Sequence, residues 1–176
     1  QMPAPIPQAE IHEMTLSSDI GRRQEAIEKF KENFFILPNK DQAWLDLIRL
    51  TQDQDRYVRS LSNFGLGRAS IFKATESEEK SDFRARLDEA IEYFERSSME
   101  AKYSNQGAFC LPFYRSLRGL LFTEVSKEAE VEKFLAEAKQ AASDSRSRAA
   151  LLEAVENLAQ ALREVRSYTF DDIISC

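Results

Sequence analysis

The sequence has little glycine, little proline and few β-branched residues. It contains five glycines and five prolines among 176 residues, about half the usual share of these two residue types. Sandwiches and barrels need many tight turns, so this scarcity disfavours both and favours long elements. Twenty alanines and seventeen leucines, against five valines and five threonines, favour helix over strand. The composition therefore predicts an all-α protein.

Cysteine and histidine are also nearly absent, which limits the chemistry that the chain can support. The two cysteines are Cys110, inside an apolar run, and Cys176, the last residue, and the single histidine is His12. Two such thiols form no disulfide framework, and neither has the C-x-x-C or histidine spacing of a zinc site. The sequence also lacks a phosphate-binding loop, a G-x-S-x-G nucleophile motif and an H-E-x-x-H metal motif. We therefore expect no cofactor, no metal and no enzymatic activity.

No segment of the sequence is directed to a membrane. No stretch approaches the roughly 18 apolar residues that a membrane-spanning helix needs, and residues 1–8 lack the basic and apolar regions of a secretory signal. Together with the scarcity of cysteine, these features predict a soluble, cytoplasmic protein.

The charge of the chain bears on nucleic-acid binding. The net charge is −6 and the isoelectric point is near 5.0, so the protein as a whole repels phosphate backbones. We therefore expect no nucleic-acid partner unless basic residues gather on one face.

Apolar residues recur at helical spacing along the whole chain, and their pattern predicts seven or eight helices. The pattern divides the chain into three regions. Residues 1–16 form a proline-rich arm and a short helix, residues 17–75 form a repeat region, and residues 81–176 form a C-terminal helical module. The charged stretch 76–81 between the last two regions is the predicted boundary.

A weak internal repeat becomes visible when the sequence is shifted by 36 residues. The shift places Asp19 on Asp55 and Arg23 on Arg59. In each copy the aspartate stands at a predicted helix start, where its carboxylate can accept backbone N–H bonds, and the arginine follows one turn later. A period of this length with two helices per unit is typical of solenoid repeats, because each helix pair has an apolar face that only a neighbour covers.

The second copy of the repeat resembles a known family. The resembling stretches are NKDQAWLDL at 39–47, YVR at 57–59 and LGRA at 66–69. They strongly resemble the repeats of archaeal HEAT-repeat proteins of the PBS-lyase HEAT-like type. The stretches FCLPFYRS at 109–116 and LEAVENLA at 152–159 look like the helical extension that follows such arrays. The resemblance implies a short α-solenoid of about two helix pairs, packed on a C-terminal helical bundle.

The same resemblance implies roles for charged residues of the repeat. In HEAT stacks the resembling aspartates and arginines bond between neighbouring repeats, which implies a structural ladder of Asp19, Arg23, Asp55 and Arg59. HEAT-like arrays mostly hold other proteins, so the resemblance implies a non-catalytic interaction or scaffolding module with a protein partner of unknown identity.

The resemblance also implies an alternative function. Some HEAT-like folds bind DNA and excise modified bases, and a nucleic-acid role here would use a stripe of arginines. The candidate stripe consists of Arg22, Arg23, Arg56, Arg59 and Arg68. If these arginines pair with Asp19, Asp53 and Asp55, they are not presented to a phosphate backbone.

Two further features concern packing. Gly65 and Gly67 lack the third glycine of a dinucleotide-binding loop, so we expect them to mark a close helix contact. The last predicted helix carries an apolar seam with separations of 4, 3, 4 and 3 residues: Leu151, Val155, Leu158, Leu162 and Val165. This seam either packs inside its own chain, against Phe134 and the helix after Ala108, or pairs with a second copy in a homodimer.

Overall fold

The computed structural model of the protein describes residues 6–101, 109–142 and 148–165, with no side-chain description for residues 142 and 148. Within these ranges the chain forms eight α-helices, one short 3-10 helix and no strand, so the predicted all-α fold is confirmed. The first five residues of the predicted arm and the end of the predicted C-terminal module, with Cys176, lie outside the described residues. The helices are α1 (Gln8–Thr15), α2 (Ile20–Asn33), a 3-10 helix (Phe34–Ile36), α3 (Lys40–Leu50), α4 (Arg56–Thr75), α5 (Lys80–Glu100), α6 (Cys110–Phe122), α7 (Lys127–Ala142) and α8 (Arg148–Glu164).

The first four helices form two stacked helix pairs. Helix α1 packs on α2 and helix α3 packs on α4, while α1 also contacts α3 and α2 contacts α4. We call α1–α4 the helix-pair stack. Helices α2 and α4 begin at Ile20 and Arg56, which reproduces the 36-residue shift of the sequence. Helix α1 forms the first pair with α2, although the sequence pattern placed this short helix with the N-terminal arm, outside the predicted repeat region 17–75.

The apolar face of each helix in the stack meets the others in one core. The α2 residues Ala26, Ile27 and Phe30 are fully buried, and α1 adds Ile11 and Met14. The remaining members come from the 3-10 helix, from the residue that follows it, from α3 and from α4: Phe34, Leu37, Ala43, Leu47, Leu50, Val58, Leu66 and Ala69. Burial of so many apolar side chains is the main stabilising contribution to the stack.

Helices α4 and α5 form a long hairpin with an unusually close contact. At one end Ser60 Oγ donates to the carbonyl oxygen of Ser97 at 2.9 Å, and Ser97 Oγ donates to the carbonyl oxygen of Ser60 at 2.8 Å. Farther along, Gly67 of α4 lies directly against the ring of Phe94 of α5. The reciprocal serine bonds satisfy four buried polar atoms and fix the register of the two helices.

The last three helices form a second core. It is built from Phe109 and from residues of α6, α7 and α8: Leu120, Val131, Phe134, Ala138, Leu151, Val155, Ala159 and Leu162. A smaller cluster of Phe64, Ala90 and Phe94, with Tyr114 and Leu111 packed on it, joins this core to the stack. The C-terminal helices therefore pack on the stack through α5 and α6.

The contact at Gly67 generates a stability prediction. A Cβ atom added at Gly67 would lie 2.5 Å from Cε1 of Phe94, which is too close for two carbon atoms. We expect Gly67→Ala to lower the free energy of unfolding by about 1–3 kcal/mol through overpacking. This loss is expected even though alanine is the better helix former by about 1 kcal/mol. Urea denaturation followed by circular dichroism measures it.

Gly65 provides the matched control on the same helix. A Cβ atom at Gly65 would meet Leu47 Cδ2 at 3.5 Å, which is an ordinary contact. Gly65→Ala should therefore be neutral or stabilising by up to about 1 kcal/mol. Equal stabilities of the two alanine variants would contradict the overpacking argument.

Candidate functional site

The two predicted cap residues lie at the starts of α2 and α4. Asp19 Oδ1 accepts a hydrogen bond from the backbone N–H of Gly21 at 3.2 Å. Asp55 Oδ1 accepts one from the backbone N–H of Val58 at 2.9 Å. Each carboxylate thus satisfies a backbone donor that the first helical turn leaves without a partner.

The arginines of the repeat make equivalent bonds in the two units. Arg23 donates to the carbonyl oxygen of Ser17, and Arg59 donates to the carbonyl oxygen of Asp53, both at 2.9 Å. Arg23 also binds both carboxylate oxygens of Asp53, at 3.0 and 3.1 Å, and thereby links the first unit to the turn of the second. The link between units therefore runs to Asp53 and not to Asp55. The sequence indicated Asp53 only as a carboxylate that could pair with the arginine stripe and not as a member of the ladder, although the 36-residue shift places it on Ser17.

The second arginine extends the network to α5. Arg59 Nη2 lies 2.9 Å from Glu100 Oε2. The hydrogen bond from Arg59 holds the pKa of Glu100 below its ordinary value, and the same bond raises the pKa of Arg59. Because the carboxyl pKa is lowered in the folded state, this contribution to stability is present at neutral pH and is lost as the pH falls through the lowered pKa.

The predicted basic stripe is largely occupied by these internal bonds. Arg23 and Arg59 have the carboxylate partners just described, and Arg56 Nε donates to the carbonyl oxygen of Glu100 at 2.8 Å. Arg22 and Arg68 are exposed, and neither has an ion-pair partner among the residues that the structure describes. The five arginines therefore do not form a free cationic face.

A polar network that the sequence did not indicate joins α1 to α3. Asp46 is 1% exposed, and His12 Nδ1 donates to its Oδ2 at 2.8 Å. Arg49 Nη2 lies 3.3 Å from Asp46 Oδ1 and donates to Thr15 Oγ1 at 2.5 Å. A buried carboxylate needs such partners, so the network fixes the position of α1 on α3. One sequence feature could have revealed it, because Asp46 falls on the apolar face of α3 with Ala43 and with Leu50.

Exposed apolar side chains are concentrated on the helix-pair stack. The described part of the chain exposes nine large apolar residues, and seven of them lie between residues 16 and 57: Leu16, Ile20, Phe35, Ile36, Leu45, Ile48 and Tyr57. Ile48 recurs at helical spacing with apolar residues such as Leu47, a pattern that predicts burial. Its side chain is nevertheless exposed, because α1 and α4 cover other faces of α3.

Four of these apolar residues lie on α3 or line a groove beside it: Leu16, Ile20, Leu45 and Ile48. Leu45 and Ile48 share a face of α3 with Arg49, at spacings of three and four residues, and Gln52 follows in the turn after the helix. Arg49 and Gln52 also line a shallow groove of about 760 Å³ beside the two interhelical turns, together with Leu16 and Ile20. We call these six residues the stack surface.

The predicted apolar seam of the last helix lies in the second core. Leu151, Val155 and Leu162 are buried there, and Leu158 and Val165 are half-buried against the same cluster. Phe134 and residues of α6 belong to this cluster as well. A homodimer through the seam would therefore require the C-terminal helices to separate from one another.

No protein-family model matches the chain, and no curated protein or solved structure matches it significantly. The resemblance to HEAT-repeat proteins therefore stays a prediction from the sequence.

None of the helices in the described ranges combines the length and the apolar character needed to cross a bilayer. In the same ranges no three potential metal ligands of the histidine, cysteine or carboxylate type gather at one point.

The two caps generate a second prediction. We expect Asp55→Ala to lower the free energy of unfolding by about 1–2 kcal/mol, and Asp19→Ala by about 0.5 kcal/mol. The difference is expected because Asp55 makes the shorter bond and starts the central helix α4, whereas Asp19 is exposed. Thermal and urea denaturation of both variants measure it. A loss at Asp19 equal to or larger than the loss at Asp55 would contradict this ranking.

Proposed function

We propose that the protein is a non-catalytic interaction module that holds a partner protein on the stack surface. One observation carries this proposal: seven of the nine exposed large apolar residues in the described ranges lie between residues 16 and 57. Large apolar side chains scattered singly over a surface need no explanation, but their concentration on one part of a molecule is typical of a protein-binding face. Covering them with a partner removes apolar surface from water.

The composition of the stack surface supports the same function. Leu45 and Ile48 supply an apolar centre, with exposed fractions of 60% and 36%. Arg49 and Gln52 supply polar groups at its border, as is usual for protein interfaces. Arg49 is already held by Thr15 and Asp46, so little of its side-chain entropy remains to be lost when a partner binds.

The nucleic-acid alternative has weaker support. Arg23, Arg56 and Arg59 are engaged within the chain, and the net charge of −6 opposes the counterion release that dominates such binding. The HEAT resemblance, where it holds, favours protein binding as well, because helix-pair arrays present extended surfaces to partner proteins.

A paired-variant experiment tests the proposal. The stack-surface variant carries Leu45→Glu and Ile48→Glu, and the matched control carries Met99→Glu and Val125→Glu, which change two exposed apolar residues elsewhere. All forms are immobilised and exposed to an extract of cells that express the protein, and retained proteins are identified by mass spectrometry. We expect at least one protein to be retained by the wild type and the control and to be lost from the stack-surface variant.

The retained protein is then purified and titrated against each form by calorimetry. Loss of an apolar anchor at an interface centre costs about 2 kcal/mol or more, so we expect affinity to fall by a factor of about 30 or more. Retention that is lost in the control variant and kept in the stack-surface variant would contradict the proposal. Circular dichroism of both variants separates loss of binding from loss of fold.

A further inference from the structure

A second groove lies away from the stack surface, between α4, α6 and α8. Its volume is about 370 Å³, within the usual range for sites that bind small molecules. Nine described residues line it: Phe64, Arg68, Phe109, Cys110, Phe113, Tyr114, Ala154, Asn157 and Leu158. Helical spacing explains the set, because each helix contributes residues one turn apart, such as Phe64 and Arg68 on α4.

Aromatic rings in fixed contact form one wall of the groove. The rings of Phe113 and Tyr114 meet edge-on with centroids 5.1 Å apart, and Tyr114 stacks on Phe94 at 5.7 Å. Phe113 in turn meets Phe134 of the second core at 6.0 Å. Because these contacts hold the rings in place, the wall exists before any ligand arrives.

The charge of the groove is opposite to that of the protein. None of its nine described lining residues is acidic, and Arg68 is the single formal charge among them, in a chain whose net charge is −6. Burial raises the pKa of both Cys110 and Tyr114, so both side chains are neutral at neutral pH. The positive charge of Arg68 opposes this rise in pKa at both groups.

Arg68 is available to a ligand. Its side chain is exposed, and no carboxylate among the residues that the structure describes pairs with it. An arginine at the border of an apolar slot is suited to bind a carboxylate through a charge-assisted, two-point hydrogen bond.

We propose that this groove binds a small monocarboxylate with an aliphatic or aromatic body, with its carboxylate on Arg68 and its body between the aromatic wall and Leu158. The amide of Asn157 provides a second polar group at the groove. This site shares no residue with the stack surface, so it is independent of the proposed protein-binding function.

Calorimetric titration of the full-length protein with octanoate and with its neutral analogue octanamide tests the proposal. We expect one octanoate to bind per chain, about tenfold more tightly than octanamide, because a hydrogen bond to a charged partner is the stronger one. Arg68→Gln should remove this preference, and Arg68→Lys should keep part of it. Ala154→Phe should block both ligands by filling the groove.

Arg22→Gln is the matched control, because Arg22 is an exposed arginine that does not line the groove. It should leave the affinity for octanoate unchanged. Absence of saturable octanoate binding would overturn the proposal, as would equal affinities for octanoate and octanamide in the wild type. Binding that survives both Arg68→Gln and Ala154→Phe would also overturn it. Arg68→Gln alters an exposed side chain, so the affinity ratio is decisive even if Ala154→Phe destabilises the fold.

Discussion

The close approach of α4 and α5 at Gly67 is the contact on which the rest of the structure depends. Helix α4 packs on α2, α3 and α5, and the missing side chain at Gly67 allows Phe94 to lie against its backbone. Phe94 then stacks on Tyr114 of α6. One aromatic side chain thus connects the helix-pair stack to the C-terminal helices, and the reciprocal bonds of Ser60 and Ser97 hold the two long helices in register.

This arrangement gives α4 two roles. On one side it supports α2 and α3, which present the stack surface, and on the other side its Phe64 and Arg68 form part of the second groove. The arginines of the repeat mostly tie these elements together: Arg23 joins the two units through Asp53, and Arg59 joins α4 to Glu100 of α5. Internal ion pairs thus use cations that would otherwise be presented to a phosphate backbone.

Features that depend on local spacing were predictable from the sequence. A glycine inside a helix indicated the close contact at Gly67 but wrongly indicated one at Gly65, where an added Cβ would make only an ordinary contact. The helices follow from apolar periodicity, and the caps at Asp19 and Asp55 follow from their positions before an apolar stripe. These features need only a few neighbouring residues, so one chain without relatives suffices.

Features that depend on which helices become neighbours were not predictable. The bond between His12 and Asp46 spans 34 residues and requires that α1 lie on α3. Periodicity marks Ile48 as apolar but does not say whether a neighbour covers it, and its exposure depends on tertiary packing. The second groove combines α4, α6 and α8, which are far apart along the chain.

The most direct test of the proposed function is to ask which face of the protein touches a partner in the cell. A photo-cross-linking amino acid is placed at position 45, on the stack surface, and in a separate protein at position 99, which is 85% exposed on α5. After irradiation, adducts are resolved by mass and identified by mass spectrometry. The account predicts a discrete protein adduct from position 45 and none from position 99. A discrete adduct from position 99 with none from position 45 would contradict it.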